Sequence, residues 1–567
     1  MDKFQLLKRY WGFSKFRPYQ KDIIDSLLEG KDVIGILPTG IGKSLCYQLP
    51  SLIMDGPVLV ISPLVALMID QVRQLGKQGI KSMYFENDIK STPLQQQIEN
   101  SIYGNYKLIY CSPERFLNPI FIKQITLINF SLIAIDEAHC ISELGHDFRP
   151  SYRRLDVLRN LFIKTPILAV SASATNKVIF DIRNLLKLKK AKLYKSSFER
   201  SNISYRVLKT EDKFDVLIKL LNKNKGSSII YCGTRRLAEN LALFLNQKGH
   251  KSSFFHGGLS QEEKKKKLSA WKLGEVNNIT ATSAFGMGID KSDVRIIIHF
   301  HFPESIESFY QETGRAGRDG KESFCYLLYN KNDEVELKNQ FLNRIPGKSY
   351  IEDLYRDLCN FFQIAYGEGK NHKFSLDLVS FCKSYNRSLS KTDQALKYFE
   401  LSGVFRLIRS REKQLLYNIT ASMDQIIPFL QKNNHTFQLL EHLIRQKPIL
   451  KNEKTNINLI RTSNILKTTV DLLVDEFKIL NKRGILEFVI NELNIDITPL
   501  TPREDQFTLI PVIELVSKIY YIKKNKIEAV IKFTQDDQLC KRNSILAYFG
   551  EEKSSNCKKC SADSCIN

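Results

Sequence analysis

Leu37-Pro-Thr-Gly-Ile-Gly-Lys-Ser44 is the stretch on which the fold turns. The apolar run Val33-Ile-Gly-Ile-Leu37 precedes it, and Leu45, Tyr47 and Leu49 follow at helical spacing. A strand, a glycine-bearing turn and a helix together aim backbone N–H groups at phosphate, and the helix start adds partial positive charge. In that reading Thr39, Gly40 and Gly42 shape the turn, Lys43 reaches the β- and γ-phosphates, and Ser44 ligates magnesium. The strict phosphate-loop pattern departs at its first position, Leu37, so a structural glycine turn stays open from this segment alone.

Working outward, Val58-Leu-Val-Ile61, Leu132-Ile-Ala-Ile135, Ile167-Leu-Ala-Val170, Ile229-Ile-Tyr231 and Ile296-Ile-Ile298 read as further buried parallel strands. Polar residues sit directly after them, where ligands collect in open α/β sheets. Asp136-Glu-Ala-His139 is one such place. A carboxylate pair after an apolar strand is costly unless it binds something. Asp136 is placed to hold magnesium and Glu137 to orient and deprotonate a water. His139 either links this site to nucleic acid or to Ser171-Ala-Ser173, or is a hydrogen-bonded histidine at the cleft edge. In Gln311-Glu-Thr-Gly-Arg-Ala-Gly-Arg318, Arg315 and Arg318 are expected on one helix face, supplying cations to a transferring phosphoryl group. Gly314, Gly317 and Gly320 beside them disfavour a plain solvated helix.

The chain has 567 residues, 43 % of them apolar, a formal charge of +23 and eleven cysteines. That length implies about three or four domains and ample cores. No apolar run is long enough to span a bilayer, so a soluble, intracellular protein is expected. The positive balance favours a polyanionic partner, nucleic acid first, with a merely lysine-rich composition as the alternative. Glu262-Glu-Lys-Lys-Lys-Lys267 reads as a solvated helix face. Seven cysteines are scattered, as small buried residues are in a reduced compartment. The other four, Cys540, Cys557, Cys560 and Cys565, crowd the tail and suit a closed tetrahedral Zn²⁺ site, with Asp563 as a substitute ligand for Cys565.

Beyond about residue 335 the glycine-rich loops disappear. Ala395-Leu-Lys-Tyr-Phe-Glu-Leu-Ser-Gly-Val-Phe405 reads as helix, glycine stop and strand, and the same order returns at Val470, Leu473, Phe477 and Leu480 before Gly484-Ile-Leu-Glu-Phe488. That is the pattern of the third helix and wing of a winged helix, and equally of an ordinary helical accessory domain.

Taken in order, these motifs resemble the RecQ family of superfamily-two DNA helicases over roughly residues 4–330 and again at 540–565. Trp11-Gly-Phe-Ser-Lys-Phe-Arg-Pro-Tyr-Gln20 is similar to the family's adenine-reading segment, which implies base contacts from Arg17 and Gln20 with Phe13 stacking nearby. Ser62-Pro-Leu-Val-Ala-Leu-Met68, Tyr110-Cys-Ser-Pro-Glu-Arg115 and Ala281-Thr-Ser-Ala-Phe-Gly-Met-Gly-Ile-Asp-Lys291 are similar to its strand-gripping motifs, and Asp290 joins the nucleotide-binding set. Phe198-Glu-Arg-Ser-Asn202 resembles the segment that opens the second motor domain. The resemblance implies an α/β fold with two RecA-like parallel-sheet domains in tandem, at 1–200 and 201–335. A mainly helical, winged-helix-like accessory region at 336–510, of one or two units, and a zinc-binding module at 511–567 would follow. It also implies ATP, Mg²⁺ and Zn²⁺, and 3′–5′ movement on single-stranded DNA with unwinding of duplex in repair or recombination. Single-stranded tails, forks or junctions are the expected DNA partners, with single-strand-binding and repair proteins, no membrane, and a cytoplasmic, nucleoid-associated setting.

Three departures from the family stand out. Ile41 replaces a frequent glycine, and serine replaces threonine in Ser171-Ala-Ser-Ala-Thr175. In Ile141-Ser-Glu-Leu-Gly-His-Asp-Phe-Arg-Pro150, similar to the DNA-sensing aromatic loop, Leu144 stands for tryptophan while Phe148 and Arg149 remain. The zinc module lies last, after the accessory region, with no further nucleic-acid-binding domain expected beyond it. Two other activities stay open: a translocase or RNA helicase that remodels nucleoprotein, and a non-catalytic DNA-binding scaffold.

Overall fold

In a computed structural model of the protein, residues 2–85, 94–142, 149–224, 226–286, 291–409, 414–430, 435–446, 455–466, 468–491, 494–552 and 555–566 are described. They divide into two compact units, one of residues 1–342 with 521–567 and the other of residues 343–520.

The first unit holds two parallel sheets. The first, seven-stranded, runs in the order Ser82–Tyr84, Leu108–Cys111, Val58–Ile61, Leu132–Ile135, Ile167–Ser171, Val33–Ile36, Lys192–Lys195. The second, six-stranded, runs Ser252–Phe255, Asn278–Ala281, Ser227–Tyr231, Val294–His299, Ser323–Tyr329, Ile203–Lys209. Helices cover the faces, so the inner strands are buried: those of the first sheet are almost wholly apolar, while those of the second also bury polar side chains such as Asn278 and Thr280. The runs read from sequence are the inner strands of these sheets. The edges Ser82–Tyr84 and Lys192–Lys195 are only half-buried and carry no such signal.

One apolar cluster runs from Ile34 and Ile135 through Phe198 to Ile297 and Phe309, and on to Phe533 and Phe549 of the tail. The two lobes and the tail therefore share a core. Helix Gln506–Gln535 runs through Pro511 without a break, and its residues from Tyr521 onward belong to the first unit. Helix Lys331–Phe341 packs Leu337 into the shared core, and the second unit begins at Asn343.

The second unit contains two three-stranded antiparallel sheets. One has the order Phe374–Asp377, Asn494–Pro499, Phe405–Arg409, and the other Thr455–Asn458, Gln414–Ile419, Leu486–Asn491. Each has its own apolar core. In each, a helix (Leu389–Leu401 or Val470–Lys482) ends at a glycine in the left-handed region, Gly403 at φ +77° or Gly484 at φ +70°, before a strand begins. That is the winged-helix order. The middle strand of the second sheet comes from before its helices rather than after them, which makes that unit a circular permutation. The whole permuted unit lies between the two wing strands of the first: Arg409 pairs with Ile495, and Gln414 with Asn491.

Among the described residues, no helix is long and apolar enough to cross a membrane.

Candidate active site

The strand Val33–Ile36 ends where Leu37 N donates to Ser171 O, 3.0 Å, and the chain then turns through Pro38–Ser44 into helix Leu45–Gln48. Gly40 and Gly42 sit at φ +89° and +85°, a backbone that L side chains rarely adopt. The N–H groups of Gly42, Lys43 and Ser44 meet no backbone acceptor among the described residues. They are free to face an anion.

A cavity of about 540 Å³ opens over this turn. Phe13, Arg17, Gln20, Thr39, Gly40, Gly42, Lys43, Ser44, Asp136, Glu137, Arg315 and Arg318 all line it. Asp290, Leu144 and Phe148 lie outside the described residues. Trp11, Lys15 and Gln311, which lie in the quoted motifs with no role assigned to them, line the cavity as well, and so does Gln71, which no motif marked. Gln71 belongs to a row of glutamines on helix Val65–Lys77, whose lone signal was polar side chains at helical spacing beside the buried Met68 and Leu75.

Asp136 is 7 % exposed, its N–H fixed to Ile61 O at 2.8 Å and its carboxylate accepting from Glu137 N at 2.9 Å. Burial, then the charge of Glu137, pushes its carboxyl up to about 7, against the pull of Lys43. A buried acid held that high calls for a cation. Glu137 adopts φ +48°, a strained setting for a non-glycine residue, and its Oε2 is buried 3.4 Å from His139 Nδ1. His139 is 1 % exposed and shares a hydrogen bond of 2.9 Å with Ser171 Oγ. It therefore ties the acidic pair to the Ser171–Ser173 segment and cannot reach nucleic acid. Burial, then Lys43, Lys526 and Arg149, holds its ring down to about 3, so it is neutral.

The second lobe meets this site through Gln311 to Arg318. Helix Ile306–Thr313 ends before the arginines, so Arg315 and Arg318 lie in a turn rather than on one helix face. Gly317 at φ +55° makes that turn possible. Arg318 Cγ lies 3.6 Å from where a Cβ would stand on Gly40. Thr39 Oγ1 donates to Gly314 O at 3.2 Å, and Gln311 Nε2 to Ser173 Oγ at 3.2 Å. Phosphate loop, acidic pair and arginine turn thus close on one cavity.

Arg17 and Gln20 take up positions the adenine reading did not include. The Arg17 guanidinium donates to Gly40 O, and Gln20 Nε2 donates to Ile41 O at 2.8 Å and Gly42 O at 3.1 Å. Both brace the back of the turn. Phe13 is 52 % exposed at the cavity mouth, a stacking surface for a flat ring.

In the tail, the sulfurs of Cys540, Cys557, Cys560 and Cys565 all lie within 4.8 Å of one another, with Cys557–Cys565 at 3.8 Å and Cys540–Cys560 at 3.9 Å. Four sulfurs about 2.3 Å from a central zinc stand about 3.8 Å apart, so the donor set fits a Zn(Cys)₄ centre. Lys541 N donates to Cys560 Sγ at 3.4 Å, the kind of support a thiolate ligand takes. Cys565 is buried, so Asp563 is not needed as a ligand.

Residues 17–182 match the DEAD/DEAH box helicase family, 212–320 the helicase conserved C-terminal domain, and 517–565 the RecQ zinc-binding family. The chain is 43 % identical over 342 residues to the probable ATP-dependent DNA helicase RecS of Bacillus subtilis (strain 168), covering 60 % of this chain and 68 % of RecS. It is 42 % identical over 341 residues to the ATP-dependent DNA helicase RecQ of Pasteurella multocida (strain Pm70), covering 60 % of this chain and 54 % of that protein. The chain thus spans little more than half the length of that second relative. The DUF1998 helicase MrfA, solved bound to DNA, shares the fold at a TM-score of 0.50 and 18 % identity, over 72 % of this chain and 58 % of that one. The fold and site define a two-lobed, ATP-dependent helicase. The chain belongs to the RecQ family of DNA helicases, with the family's zinc-binding module at residues 517–565.

Proposed function

We propose that this chain hydrolyses ATP to translocate 3′–5′ on single-stranded DNA and unwind duplex, acting in repair or recombination in the cytoplasm at the nucleoid. The observation that carries this reading is the single cavity shared by Lys43, Asp136 and Glu137 of one lobe and Arg315 and Arg318 of the other. A site assembled from two lobes changes when they move, so hydrolysis and stepping are one event.

In this reading Lys43 and the amides of the turn hold the β- and γ-phosphates. Glu137 takes a proton from the attacking water, and Arg315 and Arg318 neutralise charge as the phosphoryl group transfers. Ser44 and Asp136 would hold a magnesium ion, which would supply charge neutralisation for the phosphoryl group. Phe13 stacks on the base. Single-stranded tails, forks or junctions are the substrates, with single-strand-binding and repair proteins as partners. The four tail cysteines would hold a zinc ion in a structural role, supplying stability rather than chemistry.

Steady-state hydrolysis tests the reading: Lys43→Ala and Glu137→Gln should each abolish the DNA-stimulated rate. Strand displacement on 3′-tailed DNA, 5′-tailed DNA and RNA duplexes tests polarity and substrate. Unwinding of 3′-tailed DNA alone is expected. Hydrolysis intact in both variants would sink the motor.

A further inference from the structure

The chain passes from the first sheet to the second through Ser196–Asn202, and this linker is gripped from both ends. At its start, Glu551 of the tail accepts from Phe198 N at 2.8 Å and from Ser197 Oγ at 2.8 Å. Lys195 Nζ donates to Phe549 O at 3.0 Å. The Phe549 ring is wholly buried and stacks on Phe198 at 4.3 Å with 18° between the planes. It also meets Tyr310 edge-on at 5.1 Å, while the Tyr310 hydroxyl donates to Phe198 O at 3.1 Å. Arg542, the second residue of helix Lys541–Tyr548, pairs with Glu199 at 2.8 Å.

At its other end the linker holds the arginine turn. Arg200 donates to Gly314 O at 3.2 Å, Ala316 O at 3.0 Å and Gly317 O at 3.3 Å. Asn202 Nδ2 adds Gly317 O at 2.8 Å and Lys321 O at 2.9 Å. Five bonds from two linker side chains thus fix the carbonyls on either side of Arg315 and Arg318. A linker fixed at both ends transmits position rather than absorbing it.

We propose that Glu551 is a positioning residue for ATP hydrolysis: by holding Ser197 and Phe198, it sets where Arg200 carries the Arg315–Arg318 turn against the phosphate loop. This deepens the motor reading and rests on it, since it assumes that those arginines act on the nucleotide. Glu551 touches neither the cavity nor the cysteine cluster. Its effect runs through the backbone of the linker. The ground-state grip on the phosphates comes from Lys43 and its turn, so the effect falls on turnover rather than on binding.

The test uses the full zinc-loaded chain, single-stranded oligonucleotide at saturation, and the variants E551A, E551Q, R200A, E551A/R200A and R318A. A misplacement on the ångström scale costs about tenfold to about a hundredfold in rate, so E551A should lower kcat by that factor with the KM for ATP within about twofold. E551Q keeps an oxygen to accept from Phe198 N, and should recover most of the loss. E551A/R200A should be no slower than the slower single variant, because both act through one linker. Zinc content by elemental analysis should stay at one per chain throughout. An unchanged kcat in E551A, an equal loss in E551Q, multiplied losses in the double variant, or zinc lost with activity would each overturn the proposal. R318A separates the two levels. If it hydrolyses normally, the motor reading fails; if it is inactive while E551A is normal, only the role of Glu551 fails.

Discussion

Thr39 donates its hydroxyl to the Gly314 carbonyl at 3.2 Å, so the phosphate loop of one lobe touches the residue immediately before Arg315 of the other. The approach leaves no room for a side chain. A Cβ on Gly314 would stand 2.3 Å from Thr39 Oγ1 and 3.0 Å from Tyr310 O. Gly314→Ala must push the arginine turn off the loop, and DNA-stimulated hydrolysis should fall about a hundredfold, the usual cost of an ångström's misplacement. Adding Thr39→Ala removes the tighter clash and should restore part of the rate. A Gly314→Ala enzyme with normal kcat would show that the contact is not used in turnover.

Asp136 and His139 predict opposed pH dependences of stability in protein free of magnesium and nucleotide. Asp136 is raised from 3.8 to about 7, so between those values the folded state keeps a proton that the unfolded chain has released, and stability falls as pH rises. His139 is lowered from 6.5 to about 3, so over that range the unfolded chain holds a proton that the folded state lacks, and stability rises with pH. Each slope approaches about 1.4 kcal/mol per pH unit, and they oppose from about pH 4 to about pH 6.5. Urea midpoints at about pH 5 and about pH 6.5 should be nearly equal in the parent protein. The midpoint should drop with pH in His139→Asn and climb in Asp136→Asn. Identical slopes in all three proteins would contradict the assignment.

Loss of the tail metal should reach the motor. Phe533, on the long helix before Cys540, and Ile545, Leu546 and Phe549, on and just after the helix that Cys540 caps, pack into the core shared by both lobes. Cys560→Ser, at a buried ligand, should abolish zinc content and lower the unfolding temperature of the first unit, since structural zinc contributes folding free energy directly. Differential scanning calorimetry with elemental analysis checks both. A zinc-free variant with an unchanged transition would show the tail to be dispensable for stability.

Arg542→Ala removes the ion pair with Glu199, whose partners are 12 % and 37 % exposed. The exposure of Glu199 limits the pair to about 0–1 kcal/mol, and the Arg542 donation to Ser555 O at 2.7 Å is lost with it, so the unfolding midpoint should fall modestly. Any loss of turnover beyond about twofold would therefore reflect linker geometry rather than stability.

The central strands and the phosphate turn were legible because physics writes them locally. A strand covered on both faces favours an unbroken apolar run, as Leu132–Ile135 shows, and a turn with the backbone of Gly40 and Gly42 favours glycine. The equally buried Asn278–Ala281 carries two polar residues and gives no such run. The edge strands were not legible, since Lys192 and Leu193 are exposed there. Arg315 and Arg318 kept helical spacing although the helix stops at Thr313, because spacing alone does not mark where a helix ends. No break in the chain marks residue 511, since Pro511 lies near the start of a long helix that crosses it. That Gln20 would brace the Ile41 and Gly42 carbonyls left no sequence signal, because the contact joins segments distant in the chain. The permuted order of the second winged unit was hidden for the same reason.

The nesting of one winged unit within the wing of another has a bearing on biogenesis. As the chain is made, Phe405–Arg409 emerges with its hydrogen-bonding edge unmatched, and its partner strand Asn494–Pro499 follows only after residues 410–493. The inner unit owns a complete core, so it can fold while the outer strand waits, and its paired ends Gln414 and Asn491 then bring the late partner back to Arg409. What looks like an interruption is thereby a template, converting a distant strand pairing into a local closure.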